Sequence, residues 1–243
     1  MKRDVQAIVL VLLGGAVLRI SLDGTYLRYV KPGLLPVLVV AGAIVLTLGL
    51  LSAWYDGLLR GEPATPSDGH GHAHDDGHGH GHGGPRVAWL LLLPVLAIFL
   101  VAPPALGAYS ADRSTFVGQP TVDLEPLPDG DVIDVPVRDY VTRAVWDSGR
   151  SLEGRTVRLT GFAAPRGEDG EWDLARLSLS CCAADALASK VRPVGDVPAQ
   201  PAEQWVAVTG RWVEGGGLED PRAIPRIQVT DVVPIEAPEE PYE

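Results

Sequence analysis

The stretch GLLPVLVVAGAIVLTLGLLSAWY (residues 33–55) decides the fold class, because it is apolar and carries no charge from end to end. A helix that crosses a bilayer satisfies its own backbone hydrogen bonds and needs about 20 mostly apolar residues. Pro36 falls in the first turn, where a missing N–H is tolerated. Trp54 and Tyr55 end the run, as aromatic residues often do at a membrane interface. The stretch predicts a membrane-spanning helix.

Two further apolar runs flank this one, at Val5–Leu22 and Val87–Leu106. The first contains Arg19, whose charge must reach the lipid headgroups. Lys2 and Arg3 could also introduce a cleaved signal peptide, but no small-x-small cleavage site follows, so a retained helix is favoured. The N-terminal half is therefore predicted to be α-helical, with about three transmembrane helices.

The distribution of basic residues sets an expected orientation. With Lys2 and Arg3 inside, the segment Ser21–Pro32 and the C-terminal domain lie outside, although the positive-inside rule favours this only modestly. Gly49 and Ala53 form a small-xxx-small pair that would let another helix approach. Because no span carries a charge at its middle, the chain alone does not resemble a transporter.

Charge separates the two halves of the sequence. The charges before residue 107 cancel, so the formal net charge of −11 belongs to the remainder. So acidic a domain would repel phosphate backbones, which argues against a nucleic-acid partner. The two cysteines, Cys181 and Cys182, are adjacent and could pair only as a strained bridge, so they do not indicate the redox compartment.

All six histidines of the chain fall in one tract, HGHAHDDGHGHGH (residues 70–82). Alternate spacing in an extended segment places three imidazoles on one side, so each half of the tract could bind one ion, and the acidic residues could add oxygen ligands. Imidazole suits zinc, nickel, cobalt and copper(II). The alternative is a solvated linker with incidental affinity. The candidate ligands are His70, His72, His74, His78, His80, His82, Asp75 and Asp76.

The C-terminal half reads as a small β domain. Val137–Arg150 has apolar residues at helical spacing and predicts a short amphipathic helix. Glycines inside the first and fourth predicted strands, Gly161 and Gly210, suit sharply bent strands and favour an OB-like barrel, with a flattened sandwich as the alternative. The predicted strands are Arg155–Ala164, Trp172–Cys181, Leu187–Val194, Gln204–Val213 and Ala223–Ile235.

The sequence thus divides into four regions by composition. They are a transmembrane region (1–107) with a His-rich loop (68–84), an acidic Pro-rich linker (108–137), an OB-like β domain (138–236) and an acidic tail (237–243).

The stretch LSLSCCAADA (residues 177–186) holds the two thiols of the chain. In a continuing strand they would face opposite sides, but a turn could bring Cys181, Cys182 and Asp185 towards one ion. Thiolates with a carboxylate can bind zinc or copper, although three ligands are a thin set. Small residues packing a core, or redox chemistry, are the alternatives. No CxxC pair or activated nucleophile is present, so an enzyme is not expected.

Four segments resemble the YcgQ-like family of bacterial membrane proteins, closest to its actinobacterial members. They are YLRYVKPGLLP (26–36), APPALGAYSA (102–111), LSLSCCAADA (177–186) and WVAVTG (205–210). The resemblance implies a permease subunit that accompanies a separate multi-spanning permease, and an association with zinc limitation. It supplies no established binding residues.

Together these features predict a non-enzymatic accessory subunit of a membrane permease, integral to the cell membrane, with Zn²⁺ or another divalent transition metal as the expected ion. A membrane-tethered protein that uses Cys181 and Cys182 for metal transfer or redox is the alternative. A structural envelope protein with an incidental histidine linker is a third hypothesis.

Overall fold

The computed structural model describes residues 3–59, 105–113, 115, 124–166, 170–217 and 223–243. Contacts divide the chain into two compact units. The first comprises Met1–Tyr26 and Gly33–Pro103, and the second comprises Leu27–Pro32 and Pro104–Glu243. The His-rich loop and nearly all of the third predicted span lie outside the described residues, so both stay predictions.

The described part of the first unit consists of two helices, α1 (Arg3–Leu22) and α2 (Leu35–Leu59). The segment Pro32–Tyr55 is long and apolar enough to cross a membrane. The apolar part of α1, Gln6–Leu22, is shorter than a full span. The prediction of an apolar N-terminal helix that could span a membrane is confirmed.

Glycines let α1 and α2 approach each other closely. A Cβ at Gly14 would lie 2.5 Å from the backbone nitrogen of Leu46, and one at Gly49 would lie 2.8 Å from that of Val11. Small residues at such contacts are how helices pack tightly in lipid. Gly49, one residue of the small-xxx-small pair predicted to let another helix approach, thus lies against α1 of the same chain.

The second unit is a small β barrel. Neighbouring strands follow the order β1-β2-β3-β4-β6-β5, and β2 also pairs with β5, so β2 to β6 close into a ring. This confirms the predicted architecture of N-terminal helices with a small OB-like β domain, and the closing β2–β5 pair distinguishes it from a flattened sandwich. The strands are β1 (Ile133–Asp134), β2 (Thr156–Pro165), β3 (Trp172–Ser178), β4 (Leu187–Val194), β5 (Trp205–Val213) and β6 (Arg226–Pro234).

Strand β2 closes the barrel because it pairs along two different edges. Thr156–Phe162 pairs with β5, and Phe162–Pro165 pairs with β3. Gly161 and Gly210 lie where the backbones come closest: a Cβ at Gly161 would be 2.5 Å from the carbonyl oxygen of Ala175. The register of β5 against β6 shifts at Gly210. The register shift at Gly210 and the change of partner strand next to Gly161 fit the bends predicted from these two glycines.

Two helices accompany the barrel, α3 (Ala108–Arg113) and α4 (Val137–Trp146). The helix predicted over Val137–Arg150 ends four residues early, and the chain then turns through Gly149, which has a left-handed φ of 70°. Both α3 and the two-residue β1 lie inside the predicted linker. Burying each large core side chain contributes about 1.5–3 kcal/mol. The α4 residues in the core are Val137, Tyr140, Val141, Ala144 and Val145.

Candidate metal centre

The two thiols lie in the turn between β3 and β4, residues 179–186, which is called the cysteine turn below. Strand β3 ends at Ser178, three residues before the predicted end at Cys181, and β4 begins at Leu187. A short 3-10 helix, Ala183–Asp185, occupies the turn. The alternation that would send adjacent strand residues to opposite faces therefore does not apply to Cys181 and Cys182.

Asp185 organises this turn through its carboxylate. Its Oδ1 accepts a hydrogen bond from the backbone N–H of Ser180 at 2.7 Å. Its Oδ2 accepts hydrogen bonds from the N–H groups of Cys181 at 2.7 Å and Cys182 at 3.3 Å. Short acidic side chains commonly satisfy local N–H groups in this way. Three consecutive N–H groups thus converge on one carboxylate and fix the direction of both cysteines.

The same turn brings three metal-ligating atoms together. The Sγ atoms of Cys181 and Cys182 and a carboxylate oxygen of Asp185 all lie within 4.8 Å of one another. Two sulfur atoms bound to one tetrahedral zinc ion at about 2.3 Å are about 3.8 Å apart. Cys181 is exposed and Cys182 is half-buried, so an ion can reach them from solvent. Within the described ranges, this is the one group of three or more such side chains.

Asp185 and Cys181 shift each other's protonation. The hydrogen bond to Asp185 raises the pKa of Cys181 to about 11. The hydrogen bond from Cys181, helped by the backbone N–H groups, lowers the pKa of Asp185 to about 2. At neutral pH the carboxylate is charged and the Cys181 thiol keeps its proton. A nucleophilic thiolate is disfavoured at Cys181, whereas a cation that displaces the proton would meet an ionised carboxylate.

A segment that is distant in the sequence is hydrogen-bonded to the cysteine turn. Leu27–Pro32, called the juxtamembrane segment below, belongs to the same compact unit as the barrel. The N–H of Ala183 donates to the carbonyl of Tyr29 at 2.7 Å, and the N–H of Lys31 donates to the carbonyl of Cys181 at 3.3 Å. These bonds make an antiparallel bridge between Val30 and Cys182. The cysteine turn is therefore half of a short two-stranded ladder.

Tyr242 holds the juxtamembrane segment from the other side. Its hydroxyl donates to the carbonyl of Arg28 at 2.9 Å and accepts from the N–H of Leu106 at 2.9 Å. Tyr242 itself is bridged to Leu177 of β3. The predicted acidic tail, 237–243, thus contributes a residue that lies along the barrel.

The structure brings Cys181, Cys182 and Asp185 together in a turn, which was one of the two conformations considered from the sequence. Their role as metal ligands stays a prediction. Sequence reasoning missed Tyr29, Lys31 and Tyr242. These three act through backbone groups or a single hydroxyl, which leave no pattern in the sequence. The candidate ligands of the His-rich loop lie outside the described residues.

Comparison with protein families matches residues 132–243 to the DUF1980 C-terminal domain. The matched residues begin just before β1 and include the whole barrel and the cysteine turn, while the helical unit lies outside the match. The comparisons with curated proteins and with solved structures found no match. The YcgQ-like resemblance stays a prediction. Residues 132–243 are therefore a DUF1980 C-terminal domain, and the candidate metal centre lies within it.

Proposed function

We propose that this chain is a membrane-anchored, non-enzymatic accessory protein whose β domain binds a transition-metal ion through Cys181, Cys182 and Asp185. The observation that carries the proposal is the convergence of two sulfur atoms and a carboxylate oxygen within 4.8 Å. Thiolate and carboxylate are ligands that zinc accepts, and three protein ligands leave a position open for water or for transfer to another protein.

The electrostatics of the turn support metal binding over thiol redox chemistry. A pKa of about 11 keeps the Cys181 thiol protonated at neutral pH, so it is a poor nucleophile. Adjacent cysteines form only a strained bridge. A metal ion must displace the same proton to bind the sulfur, and its positive charge would then be stabilised by the ionised Asp185.

The His-rich loop and a permease partner complete the proposal. His70–His82 would gather ions by imidazole coordination, and the resemblance adds a multi-spanning permease as the partner that the helices would contact. The acidic domain would then act as a binding module for the ion at the membrane surface. An accessory role is consistent with the absence of any nucleophile with its own base in the sequence.

Metal content tests the proposal. The full chain should be purified in detergent without a polyhistidine tag, with its six histidines replaced by glutamine so that only the barrel site remains. Titration with Zn²⁺ against an indicator is expected to give one ion per chain. Co²⁺ is expected to show the charge-transfer absorption of a thiolate complex. A protein that binds no Zn²⁺ at micromolar concentration would contradict the proposal.

The juxtamembrane segment also supports an orientation for the domain. It is hydrogen-bonded to the cysteine turn and ends at Pro32, the first residue of the apolar span. We therefore infer that the cysteine turn lies at the same membrane surface as the juxtamembrane segment to which it is bonded. We expect that surface to be extracytoplasmic, as the distribution of basic residues favours.

Single-cysteine labelling checks this orientation. In a background without Cys181 and Cys182, cysteine would be placed at the exposed positions Asp23, Glu239 or Tyr55. An impermeant maleimide is expected to label the first two in intact cells and to label the third only after permeabilisation. Labelling of Asp23→Cys and Glu239→Cys from opposite sides would refute the orientation.

A further inference from the structure

We propose that ion binding at the cysteine turn is coupled to the juxtamembrane segment, so that a bound ion stabilises the backbone next to the start of the apolar span. This inference rests on the proposed function, because it needs an ion at Cys181 and Cys182. It adds a link between ion binding and the juxtamembrane segment, which the three ligands alone do not imply.

The coupling is carried by the ladder between the two segments. Two backbone hydrogen bonds join the segments at or next to a cysteine: the N–H of Lys31 donates to the carbonyl of Cys181, and the N–H of Ala183 donates to the carbonyl of Tyr29. The backbone of each thiol residue is therefore restrained by the juxtamembrane segment as well as by Asp185. A movement of the segment must move the backbone that directs the two sulfur atoms.

Thermodynamic linkage makes this coupling reciprocal. An ion that needs both thiols in one arrangement binds more tightly when the ladder already holds that arrangement, because less backbone entropy is lost on binding. A bound ion must in turn stabilise the ladder, by the same coupling free energy. Since Lys31 is followed directly by Pro32, the first residue of the apolar span, a tighter ladder restrains the start of that span.

Tyr242 offers a way to weaken the ladder without touching a ligand. Its hydroxyl bonds the carbonyl of Arg28 within the juxtamembrane segment and the N–H of Leu106. Tyr242→Phe removes both bonds and keeps the ring. Tyr109→Phe is a matched control, because Tyr109 is 70% exposed and the Arg113 guanidinium lies over its ring, a contact that the change preserves.

The first arm of the test compares Zn²⁺ affinities. All variants would be full-length chains in the histidine-free background. Tyr242→Phe is expected to bind Zn²⁺ at least about fivefold more weakly than its parent, the lower end of typical coupling. Tyr109→Phe is expected to bind as the parent does. Equal affinities for Tyr242→Phe and its parent would count against the coupling.

The second arm uses the unmodified residues and needs no folding assumption. Hydrogen exchange of the amides of Lys31 and Ala183 would be measured with and without Zn²⁺. Both are expected to exchange at least about fivefold more slowly in the bound protein. The amide of Ala163, bonded to the carbonyl of Gln204 in the barrel, is the reference and is expected not to change.

The outcomes separate the two proposals. If the parent binds no Zn²⁺, the proposed function fails. If the parent binds one ion per chain and the exchange of Lys31 is unchanged, the metal centre stands and the coupling is overturned. The variant lacking Cys181 and Cys182 should show no effect of Zn²⁺ on Lys31, and an effect there would assign the coupling to another site.

Discussion

Replacing Cys181 and Cys182 together by serine is expected to lower the affinity for Zn²⁺ by at least about a thousandfold, which corresponds to about 4 kcal/mol. Serine keeps the size of the side chain but offers a neutral hydroxyl in place of a thiolate. Thiolate bonds supply most of the free energy of such sites. The measurement is competition against a chelating indicator at neutral pH, in the histidine-free background.

Single substitutions and a neighbouring residue provide the controls. Cys181→Ser and Cys182→Ser are each expected to weaken binding, and neither alone should match the double change. Ser180→Ala is the matched control: Ser180 precedes the thiols and reaches Asp185 only through its backbone N–H, which alanine keeps. A double variant that binds Zn²⁺ as tightly as the parent would remove the cysteines from the ligand set.

Gly210→Ala is expected to destabilise the barrel by about 3 kcal/mol. A Cβ there would collide with the backbone carbonyl oxygen of Gln228 and would lie 2.8 Å from a side-chain carbon of Ile227. Backbone of a paired strand cannot rotate away as a flexible side chain can, so β5 and β6 would have to separate. The measurement is thermal or denaturant unfolding, followed by the near-ultraviolet signal of the tryptophans.

Gly130→Ala is the matched control for this change. A Cβ at Gly130 would lie 3.6 Å from the carbonyl oxygen of Val132, an ordinary contact. Its effect is expected to stay within about 0.5 kcal/mol. Gly161→Ala should resemble Gly210→Ala, because its Cβ would also meet a main-chain oxygen. Unfolding of Gly210→Ala at the same temperature as the parent would show that β5 and β6 are not held as closely as described.

The elements that the sequence predicted well are those whose residues repeat a pattern. Strand β4 runs from Leu187 to Val194 as predicted, and the apolar run after Gly33 forms a helix as predicted. Strand β1 was missed because two residues, Ile133 and Asp134, are too few to show alternation. Gly161 and Gly210 favoured sharply bent strands and hence a barrel, and the closing β2–β5 pair confirms the barrel.

Only the ligand residues of the candidate metal centre could be predicted from the sequence. Two thiols followed three residues later by a carboxylate suggested the chemistry, but either a strand or a turn was compatible with LSLSCCAADA. The turn depends on three N–H groups bonded to Asp185, and its pairing with the juxtamembrane segment depends on Tyr29 and Lys31. Such backbone pairings between distant segments depend on the tertiary fold, so no local sequence pattern indicates them.

The bond between Tyr242 and Arg28 joins residues that are 214 positions apart. At ribosomal rates of about 5–20 residues per second, roughly 10–40 s separate the synthesis of the two partners. The juxtamembrane segment is therefore synthesised first, the cysteine turn second and Tyr242 third. Closing so long a loop costs entropy before the contact is gained, which slows folding. The thiols are thus synthesised before the residue that holds the juxtamembrane segment beside them.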